Sequence, residues 1–159
     1  MTRNELILAL MRTNLYRGAW PLDDLTYDCM SAEFVVEAWR AWVESLPEEL
    51  KEPVAIGGGK SIVCPRWIEE VFDCDNLARD FATFLSRCMA VDAVRTKRKR
   101  GNAAAGKFNF LLDGDPAKGH AANWFIDHDQ VARVFDAGRC VVRNLTAAEI
   151  PTVQCGESC

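Results

Sequence analysis

Apolar residues recur at helical spacing in three stretches of the first hundred residues. Thr2 and Glu5 form a capping-box pattern at the start of the first stretch. Ser31 can cap the second stretch, and Pro47 ends it. The third stretch covers about residues 75–89. Because one face of each stretch is apolar, the spacing predicts three amphipathic helices with buried inner faces.

After Gly101 the pattern changes to short runs of aromatic and β-branched residues. Three runs, GKFNFLL, HAANWFI and VARVFDA, are separated by turn-rich segments, and RCVVRNL is a candidate fourth. These runs predict an antiparallel meander. Helices followed by such a sheet define an α+β fold, and TAAEIPTVQ after the sheet predicts a last helical turn capped by Thr146 and Glu149.

The segment EELKEPVAIGGGKSIVCPRW lies between the second and third predicted helices, and its GGGKS resembles the end of a phosphate-binding loop. Such a loop needs a glycine where Val54 stands and a helix directly after Lys-Ser, which Pro65 would interrupt. We therefore predict a flexible surface loop rather than a nucleotide site.

Size and composition fit one globular domain. The chain has 159 residues, of which 49% are hydrophobic and 26% charged, with a net charge of -4. The odd set of seven cysteines and the lack of a long apolar amino-terminal run predict a reduced, cytoplasmic setting, and no run is long enough to span a membrane. A basic segment, VRTKRKRG, is predicted to complement a helix carboxyl end; we favour this over a nucleic-acid or acidic-partner patch.

Cys74 stands between two aspartates, Asp73 and Asp75, at the predicted start of the third helix. Negative neighbours raise the pKa of a thiol, whereas the amino end of a helix lowers it. A thiol nucleophile that uses an imidazole base must use His120 or His128, the two histidines of the chain. His120 opens a predicted strand, and His128 lies in a predicted turn.

The position of the turn decides which residue faces His120. If the hairpin is centred on His128, Asp136 lies opposite His120 and can orient the imidazole. If the centre lies between His128 and Asp129, Ala137 lies opposite and Asp136 is diagonal. Periodicity does not choose between these registers.

The motifs FDCDNLARDF, NAAAGKFNF, GHAANWFI and ARVFD together resemble small papain-like proteins of bacteriophages and are similar to the carboxyl-terminal domain of fungal mushroom agglutinins. The resemblance implies a single papain-like domain over 1–159, with a helix and loop at 1–20 and the family-like region at 21–153. It further implies Cys74 as nucleophile, His120 as general base and Asp136 as the acid that orients the base.

Papain-like enzymes use a second oxyanion donor, often a glutamine six residues before the cysteine, where this chain has Ile68. Trp67 and Asn76 are the candidates for that role. Asn123, on the strand of His120, is expected to be a structural or substrate-facing polar group.

The resemblance implies a thiol hydrolase (peptidase, isopeptidase or deamidase) with a protein or peptide substrate, in the host cytoplasm if phage-encoded. The alternative is a catalytically inactive phage protein that binds or inhibits a host factor. No cofactor is required. Calcium is an alternative, because Asp113 with Asp115, and Asp127 with His128 and Asp129, lie in turns and the agglutinin relatives are calcium-associated. Zinc is disfavoured, since Cys155 and Cys159 lack a clear partner pair.

Overall fold

The computed structural model describes residues 1–12, 27–69, 71–98 and 102–154, and the backbone of 156–158. The three helices are α1 Arg3–Arg12, α2 Ala32–Ser45 and α3 Cys74–Arg95. The strands are β1 Lys51–Gly57, β2 Lys60–Pro65, β3 Ala105–Leu111, β4 Gly119–Ile126, β5 Ala132–Asp136, β6 Val141–Arg143 and β7 Gly156–Ser158. Short 3-10 turns occupy Glu48–Leu50, Leu112–Gly114 and Ile150–Thr152. The α+β prediction is confirmed.

The caps predicted for the first two helices are present, and the third helix also has one. Thr2 and Glu5 exchange backbone-to-side-chain hydrogen bonds, and the Ser31 hydroxyl accepts a backbone N–H from the first turn of α2. Asp73 caps α3 by accepting two backbone N–H groups. These caps satisfy donors that have no partner inside the helix.

The larger sheet has the strand order β6-β5-β4-β3-β7, with all neighbours antiparallel. The meander β3 to β6 is confirmed, and β7 adds an edge strand. Successive residues of a strand point to opposite faces, so Trp124 and Phe125 enter different cores. One core joins the sheet to α2 and α3, and the other joins it to α1. Each fully buried large apolar side chain contributes about 1.5–3 kcal/mol.

The β4–β5 register differs from both predicted registers. Asn123 pairs with Phe135, so the turn is centred on Asp129, and continuing the register places Asp136 across from Ala122. His120 lies two positions before Ala122, and its side chain therefore shares a face with Asp136, on the diagonal.

The turn itself explains the shift. The Asp127 carboxylate accepts the backbone N–H groups of Asp129 and Val131 at 3.0 and 2.9 Å. Gln130 adopts a left-handed conformation with φ 59°. When an Asp side chain accepts hydrogen bonds from backbone N–H groups later in the turn, it stabilises a longer loop. The hydrophobic periodicity of the strands gives no information about the length of that loop.

The predicted surface loop around GGGKS is a β-hairpin, and that prediction is wrong. Strands β1 and β2 pair antiparallel, with Glu52 opposite Cys64 and Val54 opposite Ile62. The turn glycines 57, 58 and 59 have φ of 92°, 59° and 73°. A Cβ at these positions would meet nothing within 4 Å, so a side chain would not clash with a neighbour. Glycine is favoured there because other residues rarely adopt a positive φ. The residues after Lys-Ser continue strand β2 instead of starting a helix, so GGGKS is not part of a phosphate-binding loop.

The basic segment begins in the last turn of α3, where Arg95 lies. Arg98 pairs with Asp92 of α3 and with Asp28. Lys99 and Arg100 lie outside the described residues. In the parts of the chain that the structure describes, no helix is both long and apolar enough to cross a bilayer.

Candidate functional site

Cys74 is the first residue of α3 and lies half-buried at one end of an open cleft. The cleft has a volume of about 740 Å³ and lies between the β1–β2 hairpin, the amino end of α3, the start of β4 and the end of β5. The amino end of a helix favours a negative charge, so this location favours the thiolate.

His120 connects the thiol to a carboxylate. Its Nε2–H donates to Oδ2 of Asp136 at 3.0 Å, and the ring is also hydrogen-bonded to Cys74. Because Nε2 is used by Asp136, Nδ1 is the nitrogen left for the sulfur. The backbone N–H of Gly138 donates to the other Asp136 oxygen at 3.0 Å, which holds the carboxylate in place. The structure therefore brings together the three residues for which the sequence predicted a catalytic role.

The ring of His120 also has an apolar support. Phe110 is its direct partner on β3, and the two rings meet edge to face with centroids 5.4 Å apart. Such a contact restricts rotation of the imidazole. Phe110 was missed by sequence reasoning, because only the β3–β4 register identifies it.

Electrostatics favour a charged thiol–imidazole pair. The hydrogen bond with His120 lowers the pKa of Cys74, outweighing burial, and the backbone N–H of Ala121 adds to the effect. Burial alone would lower the pKa of His120, but hydrogen bonds with Asp136 and Cys74 raise it to about 9. The pKa of Asp136 is lowered, because its bond with His120 outweighs burial. These directions favour thiolate and imidazolium together near neutral pH.

The two aspartates beside Cys74 are engaged elsewhere. Asp73 caps the helix, and Asp75 pairs with Lys107 of β3 and with Arg79, 3.0 Å away. Lys107 is buried at 5% exposure, so its charge lies inside the protein next to the start of α3. The negative charges at this motif are thus partly balanced by protein cations.

The three predicted support residues differ in placement. Trp67 lines the cleft and is 55% exposed. The side-chain amide of Asn76 donates to the backbone carbonyl of Val71 at 3.0 Å, so it is engaged in the loop before α3. Asn123 is buried and donates to the carbonyl of Ala78 at 2.7 Å, which ties β4 to α3. That contact gives Asn123 a structural position.

The hairpin is the part of the cleft that sequence reasoning missed. Val54 and Ile56 of β1 and Ile62 of β2 line the cleft together with Cys74. The available signal was the alternation of these apolar residues on both sides of the glycine run. The glycines favoured a loop reading instead.

The acidic turns considered for calcium use their carboxylates as turn caps. Asp127 accepts two backbone N–H groups and pairs with Arg133 at 2.8 Å, and Asp115 accepts the N–H of Ala117. Within the described part of the chain, no three His, Cys, Asp or Glu side chains are grouped to hold a metal. Cys155 and Cys159 lie outside the described side chains. The calcium alternative stays a prediction.

Fold and site together define an α+β protein with a thiol–imidazole–carboxylate row at the end of an open cleft. The structure is similar to that of PSL1a in a complex with E64, with 18% identity, a TM-score of 0.65, and coverage of 99% of this chain and 50% of that one. It is also similar to the Polyporus squamosus lectin bound to the human-type influenza-binding epitope Neu5Aca2-6Galb1-4GlcNAc, with 18% identity, a TM-score of 0.64, and coverage of 99% and 49%. This chain therefore spans about half the length of each. No protein-family model and no curated protein sequence matches the chain.

These similarities confirm the likeness to fungal lectins at the level of the fold. They do not extend to phage papain-like proteins. The predictions of a thiol hydrolase, a protease and a phage protein are wrong, because the similar structures are those of a fungal lectin. A protein or peptide substrate is likewise not supported, and cytoplasmic localisation stays a prediction. The physical reason for the error is general: a row of residue types does not fix a reaction, and one fold carries many functions.

Proposed function

We propose that this protein is a ligand-binding protein that holds its ligand in the cleft beside the thiolate of Cys74. The observation that carries the proposal is that Cys74, His120 and Asp136 line one open cleft together, with His120 hydrogen-bonded to Asp136 and the pKa of Cys74 lowered by His120. A pKa lowered by a specific charged partner, in a concave site, is the usual physical sign of a functional residue.

Each member of the row has a distinct task in this proposal. Cys74 is the nucleophile, His120 holds the proton that leaves the thiol, and Asp136 orients and stabilises the imidazolium. When the ligand carries an electrophilic carbon, the sulfur bonds to that carbon, and the electron pair displaced from it takes the proton of His120. The result is covalent capture of the ligand, with atoms and charge balanced.

One similar structure is a complex with E64, which makes E64 a suitable first ligand. The test incubates the protein with E64 and, separately, with iodoacetamide at pH 7, followed by intact mass and peptide mapping. We expect one early modification by iodoacetamide, at Cys74, and protection of Cys74 after incubation with E64. Cys64→Ser is the matched control, since Cys64 lines the same cleft and its removal should leave both results unchanged. Equal labelling of all thiols would overturn the proposal.

A second candidate is carbohydrate binding in the same cleft. Its support is the similar lectin with a bound trisaccharide, together with Trp67, whose exposed ring offers a flat apolar surface in a cleft that Arg139 also lines. Isothermal titration calorimetry with Neu5Aca2-6Galb1-4GlcNAc tests this candidate. We expect binding that Trp67→Ala removes and that Val94→Ala, at a distant exposed position, retains. No heat of binding would overturn this candidate and leave the first one standing.

A further inference from the structure

We infer that the β1–β2 hairpin gives the Cys74 cleft a selectivity for ligands with a bulky apolar group beside the reacting carbon. This inference rests on the proposed function and specifies the class of ligand. Among the residues that the hairpin contributes to the cleft are Val54, Ile56 and Ile62, here called the hairpin wall, with Glu52 at its end.

The register explains why these three side chains share a face. Val54 and Ile62 are direct antiparallel partners, so their side chains lie on the same side of the hairpin. Ile56 follows Val54 by two positions on β1, which returns it to that side. Val63 belongs to the other face, opposite Pro53, and is not part of the cleft lining.

Two residues of the hairpin wall lack a protein cover, whereas Ile62 packs against the core that joins the sheet to α2 and α3. Val54 is 39% exposed and Ile56 is 56% exposed, although both line a concave surface. A polar ligand would leave this apolar surface in contact with water. An apolar group placed there removes it from water, which is the favourable direction.

The amino end of α3 adds two small areas of apolar surface to the cleft, whose lining also includes the charged side chains of Lys118 and Arg139. Leu77 and Ala78 of α3 follow Cys74 by three and four positions, which places them near it on one helix face, and both line the cleft. The exposed ring of Trp67 adds to the same lining. A ligand whose reactive carbon meets the sulfur therefore finds its exposed apolar surface in the cleft at Val54, Ile56 and Trp67.

The experiment compares two alkylating probes that differ in one apolar group, iodoacetamide and N-benzyl-iodoacetamide. Rates of Cys74 modification at pH 7 are measured by mass spectrometry, and each is divided by the rate with N-acetylcysteine to correct for intrinsic reactivity. After this correction, we expect the benzyl probe to modify Cys74 about ten times faster than iodoacetamide does. A factor of this size is typical of the selectivity that an apolar pocket provides.

Val54→Ser and Val63→Ser are a matched pair, because they make the same change in the same hairpin on opposite faces. Val54→Ser should reduce the ratio about fivefold, and Ile56→Ser should do the same. Val63→Ser should keep the ratio of the parent protein. Circular dichroism verifies that all three variants are folded.

The outcomes separate the two proposals. Fast, selective labelling of Cys74 by iodoacetamide with no preference for the benzyl probe overturns the hairpin inference alone. An equal fall of the ratio in Val54→Ser and Val63→Ser also overturns it, since the effect then comes from hairpin stability. Slow, unselective labelling of Cys74 by both probes overturns the proposed function and, with it, this inference.

Discussion

Cys74 and Cys64 line the same cleft, but their surroundings shift the pKa values of the two thiols in opposite directions. Burial raises the pKa of Cys64, and its cross-strand partner Glu52 adds a negative charge that raises it further. Cys74 has the amino end of α3 and the imidazole of His120 beside it, and its pKa is lowered. The difference shows that the groups facing the sulfur, and not a place in the cleft, create a nucleophilic thiol.

The other thiols that the structure describes resemble Cys64. Burial raises the pKa of Cys29, Cys88 and Cys140. Each therefore remains a neutral thiol near pH 7, and the comparison of Cys74 with Cys64 holds for the described cysteines as a group.

His120→Ala should break the comparison most strongly. Removing the imidazole removes the hydrogen bond and the positive charge that lower the pKa of Cys74, so its alkylation by iodoacetamide at pH 6 should fall roughly 100-fold. The rate then approaches that of the neutral thiols. Mass spectrometry with peptide mapping measures it.

His128→Ala is the matched control, because His128 lies in the β4–β5 turn. This variant should label at the rate of the parent protein. An unchanged rate in His120→Ala would show that the helix amino end alone sets the reactivity of Cys74.

The dependence on pH sharpens the comparison. Because its pKa is lowered, Cys74 should ionise at a lower pH than an ordinary thiol, whereas Cys64, whose pKa is raised, should ionise at a higher one. The imidazolium persists until the pH rises through about 9. The ratio of the Cys74 rate to the Cys64 rate should therefore be larger near neutral pH than above about pH 9, where the imidazolium is lost and Cys64 also begins to ionise. Parallel pH profiles of both thiols would contradict the charged pair.

Asp136→Asn should have an intermediate effect. Asparagine keeps a hydrogen-bonding oxygen near Nε2 but removes the charge that raises the pKa of His120. A fall of roughly one unit in the pKa of His120 shifts the proton-transfer equilibrium between the Cys74 thiol and the imidazole about tenfold towards the neutral pair, so the labelling rate of Cys74 near pH 7 should fall by a factor of between about two and ten. NMR titration of the His120 ring provides the direct measurement. Asp115→Asn, in an exposed turn, is the control and should change neither value; a His120 pKa that stays at about 9 in Asp136→Asn would contradict the role of the carboxylate.

The sequence predicted the helices and the row because both depend on local signals. The caps at Ser31 and Asp73 and the helical spacing of apolar residues define where α2 and α3 begin. His120 and Asp136 are an even number of positions apart in the sequence. Any β4–β5 register whose turn is centred on a residue, and not between two residues, therefore places both side chains on the same face of the sheet. The capping pair predicted at Thr146 is also present.

The remaining features depend on information outside local patterns. The side chain of Asp127 and the left-handed backbone of Gln130 set the β4–β5 register, and neither follows from strand periodicity. The β1–β2 hairpin is apolar on parts of both faces, at Val54 and at Val63, so its alternation is weak. The prediction of function was wrong for another reason. A thiol, an imidazole and a carboxylate side by side are compatible with ligand capture, with binding and with bond cleavage.

Glu149→Gln should have the smallest effect on the thiol comparison and the clearest effect on stability. Burial would raise the pKa of Glu149, but its paired hydrogen bonds with Arg143, at 2.7 and 3.0 Å, lower it to about 2. Since the folded pKa is below the unfolded value of 4.5, this carboxylate stabilises the fold above about pH 4.5, and the contribution is lost as the pH falls towards 2. The variant should lower the free energy of unfolding at pH 7 by about 2 kcal/mol, measured by urea titration. Arg143 stacks on Phe110 at 5.3 Å, and Phe110 supports the ring of His120, so Cys74 labelling should fall only about twofold. A fall as large as that of His120→Ala would mean that the position of the ring, and not its charge, distinguishes Cys74 from Cys64.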